Sequence, residues 1–338
     1  MVARDVVTCE ICIEGALKCQ ECSGSGLVSS INGQFKTIEK CPICMGMGYL
    51  ECPLCYKFRI NNIISRIKTK IKEILSSNKK EIQHLISIFE NLLDYEKIKV
   101  HIDSAQKYSV MYRINRHDLY HVLHVTANAI ELFQYMCLPK QSPPFRPSFS
   151  HSLSLEVIIL SAFCHDIKRS FSKDHASLGA IEIGRLIKEF YENSAIIRGE
   201  EIISAIQSCV YYHSGENKLP NNIEDTIITL ADGLDCGQHR VQPFFDEKLE
   251  LDEDKSPMEY ISDISIENVE FFKTNNHIVE FVFYLIDNAG YQKILDFQKR
   301  IENTMLSSST NRNNFALKRT SNNWRQLGWQ SDTLIIWP

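Results

Sequence analysis

The sequence predicts a mainly α-helical protein with a small cysteine-rich module at its N-terminus and a small α+β segment at its C-terminus. Eight of the 12 cysteines lie within the first 55 residues, arranged as four pairs. The middle of the chain repeats apolar residues at steps of three and four, which is typical of amphipathic helices. After Asp235 the apolar residues alternate with polar ones instead, as they do in strands. These three observations define the predicted fold class.

The 338 residues have room for several domains, and a hydrophobic content of 44% can build a core. We predict four segments. The cysteine-rich module, of irregular or β structure, covers residues 1–57, and a helical linker covers 58–110. A helical domain follows over 111–250, and the α+β segment covers 251–338.

Charge and hydropathy limit the class of protein. The net charge of −5 argues against a protein whose main role is non-specific nucleic-acid binding. No secretory signal follows Met1, and no apolar stretch approaches the ~20 residues that cross a bilayer. We therefore expect a cytoplasmic protein without membrane contact. The sequence leaves its oligomeric state open.

The paired cysteines predict metal binding. Each pair separates its two thiols by two residues, a spacing that lets one tight turn aim both sulfurs at one ion. Two such pairs complete a tetrahedral site, so eight thiolates predict two structural zinc ions in a reducing compartment. The predicted ligands are Cys9, Cys12, Cys19, Cys22, Cys41, Cys44, Cys52 and Cys55.

The glycines beside the inner pairs add a family resemblance. The segments Cys22-Ser-Gly-Ser-Gly26 and Cys44-Met-Gly-Met-Gly48 resemble the cysteine-rich zinc module of DnaJ-type co-chaperones. The resemblance implies that the first pair shares an ion with the fourth pair, and the second with the third. No J-domain accompanies the module, so co-chaperone activity does not follow. Two interpretations stay open: a docking surface for a protein or nucleic-acid partner, and a zinc-stabilised support for the neighbouring domain.

The predicted helices and strands can be placed from the apolar pattern. Isoleucines from Ile60 to Ile74 mark a first helix, and apolar residues from Ile82 to Leu93 mark a second. A third helix carries His121, and an apolar run ends at His165 in a fourth. Further helices are predicted over about 174–192, 199–213, 222–235 and 290–305, and strands over about 264–271 and 278–286.

Ligand-type residues occur together at the end of the fourth helix. His165 and Asp166 end an apolar run and are followed by Lys168 and Arg169. An imidazole nitrogen and a carboxylate oxygen next to each other, with cations after them, suit a metal ion that handles phosphate. This dipeptide predicts the centre of a metal site.

Other helices supply further candidates. Three histidines recur at i, i+4 and i+7 before this dipeptide, and an aspartate ends a later helix. These residues are His117, His121, His124 and Asp232, with His175 and His213 near the ends of two more helices. Helical proteins build metal sites from ligands that converge from several helices. We interpret His84, His101, His151 and His277 as ordinary core or surface residues, and Asp235 as a carboxylate of a C-terminal helical turn.

The order His, His-Asp, Asp resembles the HD superfamily of metal-dependent phosphohydrolases over about residues 110–245. The segment His121-Val-Leu-His124-Val is similar to the family's His-x-x-Arg-Val. The resemblance implies an all-helical catalytic domain. It also implies four metal ligands, with His117 outside the set: His121, His165, Asp166 and Asp232.

The resemblance extends to two later histidines. The segment from His175 to Ala180 is similar to the family's His-x-x-x-Gly-Ala, and His213 falls where the family has another histidine. These two residues could hold a second metal, bridged to the first by Asp166, or could bind phosphate directly. The sequence does not decide between the two.

The resemblance implies a phosphohydrolase or phosphodiesterase that acts on a nucleotide or another phosphate ester. One or two divalent ions (Mn, Fe, Ni, Co, Mg or Zn) would activate water at Asp166. Lys168, Arg169 or Arg240 would offset charge on the phosphoryl oxygens. Two alternatives stay open: an adaptor in which the zinc module recognises a partner and the helical domain is regulatory, and a di-iron oxygenase that uses six ligands.

Overall fold

The structure of the protein is a computed structural model, and it is mainly α-helical within the residues that it describes. The predicted fold class is confirmed at this level. The described residues are 16–21, 23, 27–32, 35–40, 49–76, 78–112, 115–138, 146–170, 174–214, 219–240, 266–272, 279–286, 290–307, 315–320 and 333–335. In this part of the chain, no helix has both the length and the apolar character that a membrane crossing requires.

Three helices lead into the helical domain. Helix α1 spans Pro53–Ile74, α2 spans Lys79–Asp94 and α3 spans Glu96–Tyr112. The first two were expected from their isoleucine and leucine stripes. The sequence patterns predict no helix at α3, because its buried apolar residues are few and its surface is strongly polar.

Helix α1 starts in the cysteine module and runs into the core. Pro53 occupies its first turn, where a missing N–H costs no hydrogen bond, and Cys55 follows within the same turn. The helix then continues without a break across the predicted boundary between residues 57 and 58. Ile63 and Ile67 on its buried face belong to the main hydrophobic core. The cysteine module is therefore joined to the helical part by one rigid element.

Five helices form the body that follows: α4 Leu119–Cys137, α5 His151–Cys164, α6 His175–Asn193, α7 Glu200–Tyr212 and α8 Ile223–Leu234. Every residue of α5 from Ser154 to Cys164 is buried. Helices α2, α4, α7 and α8 pack around it, so α5 is the central helix of the body. Its C-terminal end, which carries His165, therefore lies deep inside the protein.

The C-terminal segment has an α+β pattern in its described residues. Strands β5 Ile266–Phe272, β6 Val279–Leu285, β7 Phe315–Thr320 and β8 Thr333–Ile335 form one sheet in that order. Strands β6 and β7 are parallel, and helix α9, Tyr291–Ser307, connects them. Strands β5 and β6 and helix α9 lie near the ranges predicted for two strands and a helix, whereas β7 was not predicted. Residue His277 lies outside the described residues.

Helix α9 joins this sheet to the helical body. Phe297 of α9 packs on Phe281 and Phe283 of β6, with ring centroids 4.9 and 5.5 Å apart. Helix α9 also contacts α8. Because α8 carries Asp232, this contact brings the C-terminal segment to one of the predicted ligands.

Four short strands lie in the described part of the N-terminal segment. Strand β1, Ala16–Lys18, pairs with β4, Tyr49–Glu51, and β2, Leu27–Asn32, pairs with β3, Phe35–Lys40, both antiparallel. Among the predicted zinc ligands, the side chains of Cys19, Cys52 and Cys55 are buried. The other five, Cys9, Cys12, Cys22, Cys41 and Cys44, lie outside the described residues, so the two zinc sites and their pairing stay predictions.

Candidate metal centre

Four predicted ligands from three helices converge at the inner end of α5. His121 is on α4, His165 and Asp166 follow α5, and Asp232 is in the last turn of α8. His121 Nε2 lies 3.0 Å from His165 Nε2 and 3.3 Å from Asp166 Oδ2. Asp232 Oδ1 lies 3.7 Å from His121 Nε2 and 3.5 Å from His165 Nε2. Four donor atoms thus surround one point.

This spacing fits a bound transition metal. With bonds of about 2.1 Å, neighbouring ligand atoms are about 3.0 Å apart in octahedral and about 3.4 Å apart in tetrahedral geometry. The separations between the four donor atoms lie close to these values. Imidazole nitrogens and carboxylate oxygens are also the ligands that Mn, Fe, Co, Ni and Zn accept. His121, His165 and Asp166 could therefore hold a metal ion, and Asp232 Oδ1 lies within 3.7 Å of both imidazole nitrogens.

The orientation of the imidazoles supports the same conclusion. His121 Nδ1 donates to Asp235 Oδ2 at 2.5 Å, and His165 Nδ1 donates to the carbonyl of Ala162 at 2.8 Å. With Nδ1 committed to an acceptor, each ring turns its Nε2 toward the other ring. The two Nε2 atoms then lie 3.0 Å apart, close enough for one cation to be bound by both. Metal-binding histidines typically have such a second hydrogen bond.

A second group of ligands shares Asp166 with the first. Asp166 Oδ1 lies 3.4 Å from His175 Nε2 and 3.5 Å from His213 Nε2, and the two imidazole nitrogens are 3.1 Å apart. His213 Nδ1 donates to the carbonyl of Val210, as metal-bound histidines do. One oxygen of Asp166 thus faces each group, so this residue could bridge two ions.

The charges of the centre call for a cation. Burial raises the pKa of the Asp166 carboxyl, but the neighbouring imidazoles of His165 and His117 hold it well below its usual range. Burial lowers the pKa of His165, and Asp166 and Asp232 outweigh this effect and raise it to about 10. Burial lowers the pKa of His175 to about 4. Ionised carboxylates buried this deeply need positive partners.

Asp235 has a larger role than the predicted turn carboxylate. It is the C-terminal cap of α8 and is buried, and it accepts from His121 Nδ1 and from His239 Nε2 at 2.7 Å. Arg240 Nη1 pairs with Asp235 Oδ2 at 3.1 Å and lies against the His121 ring. Asp235 is thus the predicted carboxylate of a C-terminal helical turn, and in addition it bonds a residue of the centre. Asp235 orients the first ligand of the centre.

Replacing Asp235 by asparagine should lower the affinity of the centre for metal about 10- to 100-fold, because such second contacts orient a ligand and raise its basicity. Titration with Mn²⁺ against a chelator measures this. Asp225→Asn is the matched control, since Asp225 is a buried carboxylate of the same helix whose oxygen Oδ2 bonds Ser208 instead of a ligand. Equal Mn²⁺ affinity in both variants would contradict the role of Asp235.

A cavity of about 130 Å³ opens beside the two ligand groups. Among the described residues, four cations line it: Arg169, Arg240, Lys293 and Arg300. Arg169 Nη1 lies 3.3 Å from the His175 ring, so this predicted residue is at the centre. Lys168 does not line the cavity, and its ammonium lies 3.9 Å from Glu182 instead. The predicted contact of Lys168 with phosphoryl oxygens is therefore not supported. In the turn after α5, Arg169 reaches the cavity and the neighbouring Lys168 does not.

Three further histidines lie close to the centre. His117 is buried at the cavity wall, with its Nε2 3.8 Å from Asp166 Oδ2. Its pKa is lowered by burial and by Arg169. His124 and His239 lie beside Asp235 and could form a third ligand group. Their rings stack at 4.9 Å, an arrangement that does not aim both lone pairs at one point.

Two cavity residues, Lys293 and Arg300, could not be found from the sequence. Both belong to helix α9 of the C-terminal segment. No motif links them to the histidines, and Arg300 is 68 residues from Asp232, with which it pairs at 3.1 Å. What identifies these two residues is the packing of α9 on α8, and only the three-dimensional structure shows that packing.

Comparisons with protein-family models, with curated proteins and with solved structures find no match to this chain. The functional conclusion therefore rests on the residues and the geometry of the centre.

Proposed function

We propose that this protein is a metal-dependent phosphohydrolase or phosphodiesterase of the HD type. One observation supports this most directly: two ligand groups that share Asp166 border a cavity lined by four cations. Metal ligands without cations would suit many reactions. Cations beside two metal positions suit an anionic substrate with phosphoryl oxygens.

The residues of the first group, His121, His165, Asp166 and Asp232, would hold one ion, and His175 and His213 with Asp166 would hold a second. A divalent ion in this position supplies a Lewis acid that activates water and offsets phosphoryl charge. The ligand set accepts Mn, Fe, Ni, Co, Mg or Zn, and it does not select one of them.

The cations of the chain would bind and orient the substrate. Arg169 and Arg240 carry planar guanidinium groups, which bind two phosphoryl oxygens at once and keep their charge at any physiological pH. The cavity is far smaller than the ~300–1,000 Å³ of pockets that enclose whole ligands. It fits a phosphoryl group, so the rest of a nucleotide or other ester would extend outward from it.

For the cysteine module we propose two structural zinc ions and a supporting role. Cys52 and Cys55 belong to the start of α1, whose other end is part of the core. Next to Cys55, the ring of Tyr56 lies 5.5 Å from the guanidinium of Arg116, which comes just before α4. A module that anchors this helix stabilises the catalytic domain. Thiolate zinc sites also suit the reducing cytoplasm.

A di-iron oxygenase is the second candidate. It is favoured by six ligand-type residues, four histidines and two aspartates, that form two adjoining groups sharing Asp166. The cation-lined cavity favours the hydrolase instead. Oxygen consumption by the Fe²⁺-loaded protein separates the two candidates.

The test is a panel of phosphate esters offered to the wild-type protein after chelation and reloading with single metals. Nucleotides, cyclic dinucleotides and phosphomonoesters are assayed for phosphate or nucleotide release. We expect hydrolysis of at least one class, absent from the chelated protein and restored by one or more of the six metals. Metal loading without hydrolysis of any ester would overturn the hydrolase proposal.

A further inference from the structure

Arg300 of helix α9 connects both ligand groups of the metal centre. Its Nη1 donates to Asp232 Oδ2 at 3.1 Å, to the carbonyl of His213 at 2.9 Å and to the carbonyl of Thr229 at 2.9 Å. Asp232 belongs to the first ligand group and His213 to the second. One guanidinium nitrogen therefore joins the end of α7 to the last turns of α8.

The contact with Asp232 fixes which oxygen faces the metal position. Oδ1 lies 3.5 Å from His165 Nε2, whereas Oδ2 is bonded to Arg300. A carboxylate held through one oxygen cannot rotate to present the other without losing that bond. The geometry is the same as in metal sites whose carboxylate ligands are held by a second hydrogen bond.

The contact with His213 acts on the backbone. His213 caps the C-terminal end of α7, where the last carbonyls lack partners within the helix. A cation that bonds such a carbonyl also interacts favourably with the helix dipole. The bond from Arg300 to this carbonyl therefore helps to fix the backbone of His213, whose Nε2 faces Asp166.

Helices α8 and α9 approach each other closely enough for the Arg300 contacts because α8 has Gly233 where the two helices meet. A Cβ at Gly233 would lie 2.8 Å from Cδ of Arg300 and 3.0 Å from the Phe297 ring. Any larger residue would displace Arg300. The glycine at position 233 therefore leaves the room that the Arg300 side chain needs.

We propose that Arg300 is a positioning residue. Through it, the C-terminal segment fixes Asp232 of the first ligand group and His213 of the second relative to each other. The inference rests on the metal centre of the proposed function and deepens it. The C-terminal segment is then a part of the catalytic site, and metal binding depends on the docking of α9.

Mn²⁺ binding to the full-length protein tests this inference. Mn²⁺ prefers imidazole and carboxylate ligands to thiolates, so it reports on this centre and not on the cysteine module. Free Mn²⁺ is measured by electron paramagnetic resonance for the wild type, Arg300→Ala, Arg300→Lys and Lys299→Ala. Lys299 is the matched control, a neighbouring cation that is 71% exposed.

We expect Arg300→Ala to weaken Mn²⁺ binding about 10- to 100-fold. Arg300→Lys should recover part of the loss, because a lysine keeps the charge but not the planar group. Lys299→Ala should bind as the wild type does. Free guanidinium at millimolar concentration should tighten Mn²⁺ binding in Arg300→Ala alone, which general destabilisation of the fold would not produce.

Three results separate the possible failures. Wild-type affinity in Arg300→Ala would overturn the positioning role while leaving the proposed function intact. A loss in Arg300→Ala that neither guanidinium nor the lysine variant reduces would also overturn it, because the side chain would then only stabilise the fold. A wild-type protein that binds no Mn²⁺, Fe²⁺, Co²⁺ or Ni²⁺ outside the cysteine module would remove the proposed function itself.

Discussion

Replacing Asp166 by alanine is expected to abolish metal binding in the helical domain and to reduce phosphate-ester hydrolysis by at least about 10³-fold. The reason is geometric. Oδ2 of Asp166 faces the first ligand group and Oδ1 faces the second, so one substitution removes a ligand from both. Elemental analysis together with the ester assay measures both effects.

The His175→Ala variant is the comparison for this prediction. His175 belongs only to the second group, so its loss should leave the first ion in place. Both variants should keep two zinc ions, because the cysteine module is separate in sequence from the substituted residues. Hydrolysis that survives in Asp166→Ala would show that the centre described here does not carry the reaction.

The largest expected effect on stability comes from Arg198→Ala, with a loss of roughly 3–5 kcal/mol in the free energy of unfolding. Glu156 on the central helix α5 is 1% exposed. Arg198 donates to both of its carboxylate oxygens, at 2.9 and 2.8 Å, and Tyr191 donates to one of them at 2.8 Å. Without Arg198 the carboxylate is a buried charge that lacks its main partner. Urea denaturation followed by circular dichroism measures the change.

Arg185→Ala is the matched control for this stability prediction. Arg185 also pairs with glutamates, Glu182 and Glu189, but its side chain is 59% exposed. Exposed ion pairs contribute little, so the denaturation midpoint should stay close to that of the wild type. Equal midpoints for Arg198→Ala and Arg185→Ala would show that the buried pair around Glu156 is not a major source of stability.

The sequence predicted the helices because their apolar stripes are long and regular. It also predicted which residues meet at the centre, since His165 and Asp166 are adjacent and His121 lies on a recognisable helical face. The order of ligands along the chain is a one-dimensional property. The structure then brings both imidazole nitrogens to within 3.7 Å of the two carboxylates and to 3.0 Å of each other.

The remaining parts of the centre depend on contacts that have no local signal. Asp235 lies three residues after a predicted ligand, and only the fold shows that it bonds His121, 114 residues away. Lys168 is next to Arg169, but the turn after α5 separates their directions. Arg300 comes from a helix whose sequence resembles any amphipathic surface helix. The roles of such residues depend on how the helices pack, and the spacing of residues along the sequence does not reveal that packing.

The continuity of α1 limits how the protein can change by insertion, deletion or exchange of segments. Each residue added between Cys55 and Ile60 would rotate one end of the helix by about 100° relative to the other. The thiol of Cys55 and the core face at Ile63 would then no longer keep their mutual orientation. Exchange of the cysteine module with a foreign one therefore has to preserve helical phase as well as length. A cut between residues 57 and 58 would leave a helix that starts without its first turn.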